Sequence, residues 1–161
     1  MSGYEIGQKV IHPLHGIGTV KKIEEKEILG KIGRFSEIYF NNDRLKIMVN
    51  LELNKSLIRG LVSQDEIPKV FKYMKKCNNK LPLRSSERYN FNMKRIKSSD
   101  IYNLAAVIKD LSELKKSKKL SAKEESMLKQ TRKILSSEVS FVKEISEEEA
   151  EKLIDQVVKE D

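Results

Sequence analysis

The chain has 161 residues and a mass of 18.6 kDa, enough for one ordinary domain or two small ones. Hydrophobic residues make up 39% and charged residues 35%, and the periodic aliphatic clusters argue against both disorder and one thickly covered core. Its net charge of +8 is uneven, because residues 76–137 hold 16 basic and 6 acidic groups while 138–161 hold 3 and 9, so the middle of the chain is a field for polyanions or a lysine-rich solvated surface.

Up to about Asn54 the pattern is that of short strands. Gly7 to Ile11 leads into a turn-rich stretch, His12 to Gly18, and an extended run from Thr19 then reaches Ile28 and breaks at Leu29-Gly30. Arg34 to Phe40 is a second β-rich run, Asn41-Asn42-Asp43 a turn, and Leu45 to Val49 a third run. Short strands with tight, glycine-bearing turns suggest a small, strongly bent barrel over residues 1–60.

From Asp65 the period becomes helical. Asp65 is the expected N-cap of a helix with Val70, Phe71 and Met74 on its apolar stripe, since Pro68 then falls in the first turn. Residues 61–83 read as this connecting helix plus a polar linker. Ser86 is expected to cap a helix carrying Tyr89, Met93 and Ile96, and Ser99 one carrying Ile101, Leu104, Ala105, Ile108 and Leu111. Ser121-x-x-Glu124 and Ser146-x-x-Glu149 are capping boxes for two further helices. Residues 84–161 are therefore a basic α-helical bundle with an acidic last helix, and the expected fold class is α+β.

The chain lacks the usual equipment for chemistry. It has no phosphate-binding glycine loop and no dinucleotide fingerprint. His12 and His15 flank a turn, where they hydrogen-bond the backbone or cover the barrel; a small hydrolase or transferase built on them is the alternative from another class. The single Cys77 can form no internal disulfide, which suits a reducing cytoplasm, and Lys75, Lys76 and Lys80 are expected to lower its pKa modestly. No apolar run is long enough to cross a membrane, no signal peptide is expected, and no cofactor or metal is implied.

The stretch Tyr4-Glu-Ile-Gly-Gln-Lys-Val-Ile-His-Pro-Leu-His-Gly-Ile-Gly-Thr-Val20 resembles the start of the CarD family, also called CdnL, of bacterial transcription regulators. The similarity continues through Leu45-Lys-Ile-Met-Val49, Ser86-Glu-Arg-Tyr-Asn-Phe-Asn92, Leu104 to Leu111 and Leu120 to Glu124. The resemblance implies a Tudor-like barrel that docks on the RNA polymerase β subunit, and a helical domain that contacts promoter DNA and stabilises its melted form. The corresponding polymerase-facing residues here are Glu25, Lys26 and Ile28 on one strand and Ile47, Met48 and Val49 on another. Well-known members carry a minor-groove tryptophan wedge where this chain has Ser85. Arg84 and Ser85, with Arg88, Lys94, Arg95, Lys115, Lys116, Lys118, Lys119, Lys123 and Lys129, are the expected DNA-facing set, making largely non-specific phosphate contacts. A monomer is expected. The missing wedge also leaves open a factor that docks on polymerase and scarcely touches DNA.

Overall fold

The computed structural model describes residues 4–50 and 58–159. Among these, five strands precede five helices: β1 Lys9–His12, β2 Gly16–Ile28, β3 Lys31–Phe40, β4 Leu45–Asn50, β5 Arg59–Gly60, α1 Glu66–Lys76, α2 Ser85–Lys97, α3 Ile101–Ser117, α4 Ala122–Lys143 and α5 Glu147–Lys159. The chain divides into two compact units that meet between Leu61 and Val62. The fold is α+β, a small Tudor-like barrel followed by a helical bundle.

The first unit is an antiparallel sheet in the order β4-β3-β2-β1-β5. Val10, Val20, Ile38, Phe40, Val49 and Ile58 close its core, with Tyr4, Ile23 and Ile47 packed against them. A register shift in β2 between Val20 and Lys22 carries the inward face from Val20 to Ile23, three residues on, and bends the strand. Gly18 is needed for closure, because a Cβ there would lie 2.6 Å from the Phe40 ring. The turn between β1 and β2 is tighter than the sequence suggests, since β2 already begins at Gly16. The two-residue β5 pairs with β1 through Arg59 and Gly60, too short for a period to reveal. The stretch 51–57, where the strand-like pattern was expected to end at Asn54, lies outside the described residues.

In the second unit α1 buries Ile67, Val70 and Met74 and packs against α3 and α5, so the expected connector is part of the bundle. Tyr102 of α3 donates its hydroxyl proton to Glu66, and the buried Lys109 ammonium donates to the Met74 and Lys75 carbonyls at 3.2 and 3.1 Å. That lysine satisfies carbonyls the helix end would otherwise leave bare. Asp65 occupies the N-cap but makes no side-chain cap bond; a turn donating Glu66 N–H to Ser63 O supplies the start instead.

Two expected caps move, one by two residues and one by one. Helix α2 starts at Ser85 with Arg84 at its N-cap, not at Ser86. Ser99 sits at φ 60°, ending α2 in a left-handed conformation, and Asp100 caps α3 by accepting from Tyr102 N–H at 2.8 Å. Both capping boxes form, Ser121 with Glu124 and Ser146 with Glu149.

Candidate functional site

β4 is the last strand of the sheet and pairs with β3 alone among the described residues. Val49 points into the core and Ile47 packs half-buried against it, while Met48 between them faces outward, 39% exposed. Glu25 and Lys26 lie on β2 beyond the reach of β1, opposite Arg34 and Gly33 of β3. Both are exposed, and Lys26 Nζ stands 3.5 Å from Glu24 Oε1. Ile28 ends β2 opposite Lys31, and its side chain lies outside the described residues. β3 separates the two groups, and the described part of β4 runs to Asn50, opposite Phe35. The expected polymerase face is thus two open edges, one on each side of β3, roughly 10 Å apart at two strand spacings.

The expected DNA-facing set is divided by burial. Arg88 is only 5% exposed and contradicts the expectation that it is available for phosphate. Its Nε and Nη2 donate to both oxygens of Glu124 at 2.8 and 3.0 Å, and Nη1 donates to Leu83 O at 2.6 Å. The guanidinium saturates its planar fork inside the protein. Arg95 is also largely withdrawn, because it pairs with Asp110 at 2.9 Å and lies 4.7 Å over the Phe91 ring.

The remaining members are exposed. Arg84 and Ser85 stand at the start of α2, and Lys94 lies near its end. Lys115 and Lys116 end α3 in ion pairs with Glu125 and Glu113 at 3.1 and 3.3 Å. Lys118 and Lys119 occupy the loop after α3, Lys123 covers the Tyr89 ring at 5.5 Å, and Lys129 is on α4. Sequence reasoning missed Leu83, which is 84% exposed immediately before Arg84 and lines a cavity of about 260 Å³ with Lys118. An apolar residue directly after Pro82 in a polar linker was the available signal.

The two histidines meet at the turn between β1 and β2. His12 Nδ1 accepts the Leu14 N–H at 3.0 Å, and His15 Nδ1 lies 2.7 Å from Asp43 Oδ2. Their rings contact each other and Phe40, at centroid distances of 4.6 to 5.7 Å. Burial, helped by the neighbouring His15, lowers the His12 pKa to about 4. Cys77 caps the C-terminus of α1. Burial, together with Asp110, raises its thiol pKa, which corrects the lowering expected from nearby lysines. Among the described residues no three His, Cys, Asp or Glu side chains gather as a metal would require, and no helix is long and apolar enough to cross a membrane.

Residues 4–62 match the family model for the CarD-like/TRCF RID domain, the RNA polymerase-interacting type. Residues 69–155 match that for the CarD C-terminal domain. The chain is also similar to the Bacillus subtilis (strain 168) protein named "Putative transcription factor YdeB", at 29% identity over 128 residues, covering 77% of this chain and 82% of that one. With both domains matched in order across two differently folded units, the chain belongs to the CarD family of transcription factors.

Proposed function

We propose that this chain is a non-enzymatic, monomeric, cytoplasmic regulator that docks on the RNA polymerase β subunit through its barrel and touches promoter DNA through its helical unit, changing the lifetime of the melted promoter. The observation that carries the docking is the side of β4, along Leu45–Val49, that no other strand pairs with among the described residues. An unpaired edge offers a row of backbone donors and acceptors to a partner strand, and outward side chains set which partner fits. Met48 supplies an apolar contact there.

DNA contact is supported by the exposed cations Arg84, Lys94, Lys118, Lys119, Lys123 and Lys129. Such contacts hold phosphates without reading bases. A second reading, docking with little use of DNA, is favoured by the inward pairing of Arg88 and Arg95 and by the serine at position 85.

Retention of core RNA polymerase by the immobilised chain tests the docking. Met48→Pro removes an N–H and distorts the edge; it is a better probe than a change at the buried Val49. Wild type should retain polymerase, and a Met48→Pro chain with unchanged circular dichroism should not. Equal retention by both removes the edge from the mechanism.

A further inference from the structure

Among the described residues, the β2–β3 hairpin outruns the strands that flank it. β1 accompanies β2 only over Gly16–Thr19, and β4 accompanies β3 only over Phe35–Phe40. Glu25–Ile28 and Lys31–Arg34 therefore form a two-stranded ribbon with no third strand among the described residues. A ribbon of this kind has little stability of its own in water, so its turn chemistry matters.

The turn is made by Leu29 and Gly30, at φ 53° and 78°. Positive φ at both central residues is the type I′ pattern, for which Asn-Gly is the best-suited pair. Leucine in that conformation brings its Cβ against the neighbouring carbonyl. The fold offers nothing in exchange, since the Leu29 side chain is 98% exposed. Ile32 is 74% exposed. Strand alternation places it on the face that carries Ser36, Ile38 and Phe40 inside, beyond the point where the core stops. A strained turn and two bare aliphatic side chains thus coincide at one tip, and such outliers point to a contact outside the chain.

We propose that Leu29 and Ile32 are an apolar anchor that fills a hydrophobic recess on RNA polymerase beside the strand engaged by the barrel edge. This rests on the polymerase reading above. The tip continues directly from the open edge of β2, within the domain matched as polymerase-interacting, so a partner strand laid on that edge brings its neighbouring surface over the tip. The ribbon mixes Glu25 and Glu27 with Lys26, Lys31 and Arg34, so its charge gives no strong field for a phosphate backbone, and the apolar tip is what the partner must match.

The test compares stability and affinity in the full chain. Leu29→Asn suits positive φ, and Ile32→Thr keeps a β-branched residue in the strand. The anchor requires that Leu29→Asn melt at or above the wild-type temperature while binding core RNA polymerase about tenfold more weakly. Ile32→Thr should weaken binding in the same direction without loss of secondary structure. Wild-type affinity in both variants, with wild type itself binding, overturns the anchor and leaves edge docking intact. Melting that falls together with affinity also overturns it, because Leu29 would then serve the fold. Wild-type dimers in sedimentation that dissociate in Leu29→Asn would make the tip a self-contact and overturn it too. Failure of the wild-type chain to bind polymerase removes the docking reading and the anchor with it.

Discussion

Arg88 shows how a single residue changes role between sequence and structure. In a basic segment it reads as a phosphate ligand, yet it joins α2 to Glu124 in the first turn of α4 and holds the Leu83 carbonyl in place. Burial opposes the ionised form of Glu124, but hydrogen bonds from Arg88 and the Ser121 N–H together win, and its pKa is lowered. Breaking a buried pair strands a charge, so Arg88→Ala should cost about 3–5 kcal/mol in urea unfolding followed by helical circular dichroism. The double change Arg88→Met with Glu124→Leu should lose less. A loss within 0.5 kcal/mol, the roughly expected range for a surface site, would return Arg88 to the exterior. His12 gives a pH test at the same scale. Its folded pKa of about 4 lies below the ordinary 6.5, so the unfolded chain takes up the proton first. Stability should be full above pH 6.5 and fall as pH drops toward 4, by on the order of 3 kcal/mol at the lower end. His12→Asn keeps a hydrogen-bond acceptor for Leu14 and should flatten that slope in urea titrations between pH 4.5 and 7. The lowered Glu124 pKa acts in the same direction only as pH falls through and below the ordinary carboxylate range, so it adds little to the slope between pH 4.5 and 7.

Among the elements, periodicity revealed the long strands and all the helices but misplaced one helical face. The apolar stripe Tyr89, Met93 and Ile96 points about one residue away from the face that is buried, which consists of Arg88, Asn92 and Ile96. A polar residue that brings its own partner can occupy the core side, and hydrophobic pattern alone does not register this. The bulge after Val20 and the short β5 were hidden because neither leaves a two-residue alternation. The capping boxes were legible because their geometry depends on two side chains at fixed spacing, whereas Ser86 gave way to Arg84, which makes no side-chain cap bond, and Ser99 to Asp100, whose carboxylate accepts locally from Tyr102 N–H. The C-terminus of α3 and its following loop carry the element-scale prediction. Replacing Lys115, Lys116, Lys118 and Lys119 with alanine should weaken binding to unrelated duplexes by similar factors and reduce the slope of log affinity against log salt. The reduction should come mainly from Lys118 and Lys119, since Lys115 and Lys116 already face Glu125 and Glu113. A slope equal to wild type would make these lysines a solvated surface.

For the molecule as a whole, the strand edges and the basic segment lie in different units. The barrel holds the open strands, and the bundle holds the basic middle of the sequence, moderated by α5, whose Asp155 pairs with Arg132. Family membership was legible from motifs spread over both units, and the match to both domain models shows it. Which way each strand residue faces was only partly legible, because it depends on the side on which the strand is paired. Val49 and Met48 are adjacent in sequence and face opposite ways. Docking of β4 on the β subunit is the central claim, and the most direct measurement is site-specific photocrosslinking of the full chain to RNA polymerase. A photoreactive group introduced at position 48 should yield an adduct containing the β subunit, and the same group at the buried position 49 should yield little. Adducts formed only with other subunits, or none from position 48 under conditions where polymerase is retained, would contradict it.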